Sequence, residues 1–262
     1  MPQTVLHEDD YLATSEGFKL PSLKSFRKSQ NKLAKVSKRK SLHKKGSKAR
    51  RKLAKHEAKI HQQIARARRD HAYKTAHALL RTGKTVFFYE KLNLKGLMKR
   101  NNPKQDDQGN YIPNGQSAKS GLALSWADAA FGQFLRGCVR NLLPHFKSPV
   151  SILSYIAGKA GAKAIEVNPA YTSQLLPYKD EFVFTDCSIR EYWDEDLNLL
   201  IDRDIAAGIN IKRVGLDVFP TIKRRKGNPV VIASTTNSTS KQVLSTLRGL
   251  GKPTSVPRMR SA

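Results

Sequence analysis

The sequence predicts an α/β fold in which a sheet is covered by helices, and three observations carry that expectation. Thr85-Val86-Phe87-Phe88-Tyr89 is a β-branched and aromatic run suited to a buried strand, and it ends on a carboxylate, Glu90. Helical patterns follow over residues 122–143, with Trp126, Ala130, Phe134 and Leu142 as candidate core contacts, and over residues 150–160. Gly161 then leads into a second extended run, Ala164-Ile165-Glu166-Val167. Strand, helices, strand is the order of an α/β layer. An apolar fraction of 39% suffices for one core in the middle of the chain.

Upstream of these elements the chain is helical and basic. Residues 24–69 hold nineteen Lys or Arg and one acid, Glu57, with hardly any helix breaker. Lys44-Lys45-Gly46-Ser47 is the hinge: residues 25–42 form one helix, and Ser47 is placed to cap a second over residues 48–80. On the second helix Leu53, Ile60, Ile64, Ala67 and His71 recur at helical spacing, so one narrow stripe faces a partner helix. Lys48, Arg51, Lys52, Lys55, Lys59, Arg66 and Arg69 occupy the remaining faces. A solvated hairpin normally mixes signs for i,i+4 pairing, whereas this one repels itself unless phosphates neutralise it. These seven residues are therefore the candidate nucleic-acid contacts. Residues 100–119, rich in Asn, Gln, Gly and Pro, read as a mobile loop, and residues 219–262 as a disordered basic tail.

The charge balance points the same way: 48 Lys plus Arg against 21 Asp plus Glu give a formal net charge of +27, which gathers polyanions and gains affinity by releasing their counterions. No stretch approaches the roughly 20 apolar residues of a membrane span, and the N-terminus has neither the basic nor the apolar region of a signal peptide. Cys138 and Cys187 are the only cysteines, which excludes a disulfide framework and makes cytoplasmic residence the default.

Three stretches are informative together. They are Tyr89-Glu90-Lys91-Leu92-Asn93-Leu94-Lys95-Gly96-Leu97, then Val167-Asn168-Pro169-Ala170-Tyr171-Thr172-Ser173-Gln174, then Ile201-Asp202-Arg203-Asp204-Ile205-Ala206-Ala207-Gly208-Ile209-Asn210-Ile211. Their order and spacing over roughly residues 10–215 resemble the TnpB (OrfB) proteins of insertion sequences, relatives of the type V CRISPR effectors. The resemblance implies an RNase H-like (RuvC-like) domain, RNA-guided DNA cleavage linked to transposition, and DNA and a guide RNA as partners in a prokaryotic, nucleoid-associated setting. It also implies two Mg²⁺ ions that activate water and stabilise the leaving oxygen in an in-line displacement. By matching position it assigns Glu90 and Asp204 as catalytic Mg²⁺ ligands. From the residues alone, Asp204 is equally placed to cap a helix starting at Ile205.

The chain departs from the family pattern in several places. Asp204 is followed by Ala206 where Asn is usual, and Gly208 stands where Ala is usual. The two Cys-x-x-Cys pairs of the family's zinc site are replaced by Leu175-Leu176-Pro177-Tyr178 and Asp186-Cys187-Ser188-Ile189-Arg190, so no zinc is expected. Phe182, Phe184, Tyr192 and Trp193 suggest apolar packing in its place. The Gly-x-Asp-x-Gly strand that bears the family's first carboxylate falls near Val5 and is not found, with Asp9 and Asp10 as poor substitutes. The guide-binding region that precedes it in relatives is not found either, so the expectation is an N-terminally truncated copy with impaired cleavage, a nuclease-dead regulator or a remnant. A structural RNA binder is a further alternative. The predicted organisation is a domain over residues 10–215 with an incomplete first strand. It includes a hairpin insertion at 24–82 and a degenerate zinc-ribbon region at 172–200.

Overall fold

The computed structural model describes residues 3–5, 10–135, 151–186, 188–235 and 237–250. The first elements are β1 (Gln3–Val5), β2 (Asp10–Thr14), β3 (Lys19–Pro21), α1 (Ser25–Ser41), α2 (Lys48–Leu80), β4 (Val86–Glu90) and α3 (Leu94–Met98). Next come β5 (Lys104–Gln105), β6 (Tyr111–Ile112), α4 (Gln116–Ala129), α5 (Phe131–Leu135), α6 (Ile152–Lys159) and β7 (Lys163–Val167). The last are β8 (Glu191–Asp194), β9 (Leu199–Asp202), α7 (Arg203–Gly215), β10 (Thr221–Arg225), β11 (Asn228–Ala233) and α8 (Asn237–Leu250). They form two compact units, Met1–Pro21 with Lys84–Leu92 and Ala162–Ala262, and Ser22–Gly83 with Asn93–Gly161.

The first unit is a mixed α/β layer. Its five-stranded sheet has the order β3-β2-β1-β4-β7. β1, β2 and β3 are antiparallel neighbours, whereas β4 runs parallel to both β1 and β7. Where the sequence led to the expectation of an incomplete first strand, three residues pair on both sides: Thr4 with Thr14 on one and with Tyr89 on the other. A ladder is built from backbone N–H and C=O groups, so Gln3-Thr4-Val5, with two β-branched residues, fills the position without the family's Gly-x-Asp-x-Gly wording.

α7 packs on this sheet, with Ala207 and Ile211 against Ala13 and Phe88. The approach is close. A β-carbon at Gly208 would stand 3.0 Å from the Ser15 amide nitrogen, and one at Gly215 would stand 2.3 Å from the Phe88 ring. The Gly that replaces the usual Ala at position 208 therefore removes an atom that would press on the backbone of the β2 turn.

The predicted disordered tail is corrected over residues 221–250. β10 and β11 pair antiparallel around Lys226 and Gly227, whose φ values of 48° and 87° make the two-residue turn that suits a twisted hairpin. In α8, Val243 and Leu247 are buried in a cluster with Leu176, Tyr178, Phe184, Leu199 and Ile201. One apolar stripe at i,i+4 spacing was enough to anchor a polar segment, because the surrounding core supplies the surface it covers. Residues 251–262 lie outside the described residues.

The second unit is helical. α1 and α2 pack through Leu33, Val36, Ile60 and Ile64, with Phe26 and Leu53 at the margin. The Ser47 hydroxyl accepts from the Arg50 amide and caps α2. Two expectations change here. The helix predicted over 122–143 starts at Gln116 and breaks at Ala130, which has a φ of 56°, and residues 136–150 lie outside the described residues. Within the predicted mobile loop, β5 and β6 form a short hairpin whose turn is held by the Asp106 carboxylate, which accepts from the amides of Gln108 and Asn110.

Gly215→Ala is expected to destabilise the protein by about 1–3 kcal/mol, because the buried Phe88 ring must leave its position. Urea unfolding would show a lower midpoint at unchanged slope; an unshifted midpoint would mean that α7 does not lie this close to β4.

Candidate nucleic-acid interface and carboxylate site

The basic helices are assembled against their own charge. Burying Leu33, Val36, Ile60 and Ile64 favours the pair, at roughly 1.5–3 kcal/mol for each fully buried side chain. Polar ties complete it. Glu57, the acid of this segment, pairs with Lys40 across the hairpin, and that hydrogen bond holds its carboxyl below the usual range. Arg50 donates to the carbonyls of Lys40 and His43 and fastens the turn.

The base of the hairpin is tied by Asp128 of α4. Residue Lys24 at the N-cap of α1 makes no side-chain cap. The buried Asp128 carboxylate takes over that task, accepting from the amides of Phe26 at 2.8 Å and Arg27 at 3.0 Å, and from the Ser25 hydroxyl at 3.3 Å. It also accepts from Arg68 of α2 at 2.8 Å. Burial pushes this carboxyl up, but the amide donors and Arg68 outweigh it and hold it below the usual range. One carboxylate so joins α1, α2 and α4.

Against that background, Lys48, Arg51, Lys52, Lys55, Lys59, Arg66 and Arg69 are all exposed, and none of them forms an ion pair among the described residues. The basic residues of this unit that do meet acids, Lys40, Arg68 and Lys74, hold the helices or an i,i+4 pair. The seven remain open to polyanions.

The carboxylate site lies in the other unit. Glu90 ends β4, half-buried, and the pleat places it on the same face as Val86 and Phe88, the face that α7 covers. Asp204 is in the first turn of α7, almost fully buried. Capping falls to Asp202, whose Oδ1 accepts from the amides of Asp204 and Ile205. The helix starts at Arg203, two residues before the predicted Ile205, and this leaves the Asp204 carboxylate to point elsewhere. Its flanks are cationic: Lys19 Nζ of β3 is 4.0 Å from Asp204 Oδ2 and 2.7 Å from Asp202 Oδ2, and Arg203 Nε is 3.9 Å from Asp204 Oδ1. Lys19 was not among the predicted site residues; no spacing rule links a strand lysine to a helix start about 180 positions away.

The chemistry that the resemblance implies here is a two-ion Mg²⁺ site. Such a site shares several anionic oxygens between two cations. No group of three His, Cys, Asp or Glu able to hold a metal is found among the described residues. β1, beside β4, reads Gln3-Thr4-Val5 and brings no carboxylate, and an entering ion would face Lys19 and Arg203. Asp9 lies outside the described residues.

Residues 172–200 are organised by buried polar and aromatic contacts. Tyr178 donates to Asp194 at 2.5 Å, and Lys179 pairs with the same carboxylate at 2.9 Å. Burial pushes the Tyr178 hydroxyl up, and the bond to Asp194 adds to the shift. Asn210, the motif residue whose role the sequence left unstated, donates to the carbonyls of Thr172 and Leu175. Arg213 meets Asp180 at 2.6 Å, with both side chains buried. Phe184 and Tyr192 pack edge to face, as the aromatic content suggested. Cys138 and Cys187 lie outside the described residues, and two cysteines in the whole chain do not supply a four-thiolate set.

Comparison with known proteins agrees with this layout. Residues 10–101 match the OrfB_IS605 family, described as a probable transposase, and residues 146–211 match the Cas12f1-like TNB domain. No curated protein matches the chain. The two matches follow each other in chain order, and the protein belongs to the TnpB/OrfB family of probable transposases. No helix among the described residues is long and apolar enough to cross a membrane.

Replacing Asp128 by Asn is expected to destabilise the helical unit by on the order of 3 kcal/mol, since buried donors lose a charged acceptor. Because the folded-state carboxyl is depressed, its contribution is complete above the unfolded value of about 4 and disappears as pH falls through the lower folded value. Chemical denaturation of both proteins from pH 7 downward should therefore show their midpoints converging in acid. A constant gap would assign Asp128 a purely steric role.

Proposed function

We propose that this TnpB/OrfB protein is a nucleic-acid-binding component of a transposable element, gripping the phosphate backbone through α1 and α2, and that its RuvC-like nuclease centre is incomplete. The observation that carries the binding half is the set of seven exposed cations on α2 that have no acidic partner among the described residues. A hairpin that gathers so much charge of one sign is relieved when phosphates approach and their condensed counterions leave.

The nuclease half rests on chemistry. The strand order β3-β2-β1-β4-β7, with β4 and β7 parallel to β1, supports an RNase H-like layer. Glu90 and Asp204 take the positions that the resemblance gives to metal ligands. A residue on β1 would have to add the next carboxylate, and Thr4 and Val5 have none to offer. DNA is the expected substrate class and a guide RNA the expected partner of an intact relative; for this chain, binding without efficient cleavage follows from the donor set.

Binding is expected to be strongly salt-dependent with little sequence preference. With about six to ten phosphates contacted, affinity should fall by on the order of 10³–10⁵ between 50 and 200 mM salt. The triple charge reversal Arg51→Glu, Lys55→Glu, Lys59→Glu should flatten the slope. Affinity that is indifferent to salt would remove the hairpin from the interface.

Nicking of a supercoiled plasmid in Mg²⁺ should be weak or absent. If the chain nicks efficiently and Glu90→Ala or Asp204→Ala abolishes it, the site is complete and the second half of this reading is wrong.

A further inference from the structure

The hairpin's charge is not spread evenly. Near its turn a groove of about 670 Å³ opens on one side, lined by Arg39 of α1, His43 of the turn, and Lys52, Lys55, His56 and Lys59 of α2, with Ala49 and Leu53 completing the wall. Both helices contribute, and no carboxylate lines it. Glu57, the acid nearest the groove in sequence, is held by Lys40. The groups sharing the groove with the two imidazoles are therefore Arg39, Lys52, Lys55 and Lys59, all cationic. Apolar contacts between α1 and α2 and the Arg50 bonds to the Lys40 and His43 carbonyls hold the two walls together, so the arrangement exists before any ligand arrives.

A concave cluster of cations on two walls differs physically from a convex basic face. A strand lying in it presents successive phosphates to opposite walls, and desolvation of the walls strengthens each contact. Imidazole is the side chain that gains charge on going from mildly basic to mildly acidic solution, and a bound phosphate favours the charged form. Building on the proposed nucleic-acid binding, we propose that this groove is a discrete site for the phosphodiester backbone of a nucleic-acid strand. Arg39 clamps from α1 opposite the α2 lysines, and the imidazoles of His43 and His56 complete the wall as two further donors. Of its six polar lining residues, Arg39, His43 and His56 were not among the candidate contacts, because helical spacing does not show which residues of α1 and the turn meet the α2 lysines.

The test is fluorescence anisotropy of the full chain with labelled single-stranded DNA and RNA oligonucleotides, titrated over salt at about pH 8 and about pH 5.5. The slope of log affinity against log salt should steepen by about one to two at the lower pH, since each added phosphate contact contributes roughly 0.7 to a single-strand slope. The pair His43→Gln, His56→Gln should abolish that difference. Arg39→Ala should flatten the slope at both pH values, and circular dichroism would confirm retained helix in every variant. Arg66→Ala with Arg69→Ala, away from the groove, should weaken binding but keep the pH difference. A pH-independent slope in the wild type, or a pH difference surviving in the histidine pair, would overturn the inference. So would displacement of the oligonucleotide by inorganic pyrophosphate at equal concentration, which would mark a small-anion pocket. Loss of all nucleic-acid binding in the wild type would instead refute the underlying function.

Discussion

The α/β unit depends on how closely α7 lies on its sheet. Backbone can approach backbone at Gly208 because no β-carbon intervenes, and at the far end of the helix Gly215 leaves room for the Phe88 ring. The same helix turns Asn210 and Arg213 toward the segment between β7 and β8, binding the carbonyls of Thr172 and Leu175 and the carboxylate of Asp180. Its start carries Asp202 and Asp204. A helix with two glycines at its contact points gains little from intrinsic propensity, so its stability comes from tertiary packing on both sides. The departure from the family pattern at position 208 is thus coupled to the fold, and the carboxylate of Asp204 goes where that seating carries it.

The helical unit solves a different problem, that of holding two like-charged helices together. Its solution places a few acids at points of leverage. Asp128 satisfies amides that α1 cannot cap for itself and binds Arg68, while Glu57 meets Lys40 near the turn. These pairs are partly or wholly shielded, where a charge-assisted bond retains more of its strength than at an open surface. Lys48, Arg51, Lys52, Lys55, Lys59, Arg66 and Arg69, beyond these points, form no ion pair among the described residues. Charges that hold the hairpin together are thereby separated from charges left open on its surface.

Much of the local structure was legible. Ser47 after Gly46 marked the start of α2, and Leu53, Ile60 and Ile64 marked the face it buries. Phe87, Phe88 and Tyr89 identified β4. Other parts were not. Lys226-Gly227 carries a turn signal, yet the segment was read by its polar composition, which hid the hairpin on either side of it and the Val243–Leu247 stripe beyond. Asp202 and Asp204 are both suitable caps, and only the register of the preceding strand, ending at Asp202, decides which one receives the helix amides. Asp128 gave no local sign of its role, because its donors lie about a hundred residues away.

By itself the sequence determined the charge of the protein, the kinship carried by three ordered motifs, and the elements whose periodicity is strong, because each of these is a property of composition or of neighbours along the chain. Only the tertiary structure decided that Gln3-Thr4-Val5 completes the sheet, that Lys19 and Arg203 flank Asp204, and that Arg39 and two histidines join the α2 lysines in one groove. Those outcomes depend on which backbone groups find partners and which charges meet across separate elements. Such pairings are selected by packing geometry, to which spacing along the chain is blind.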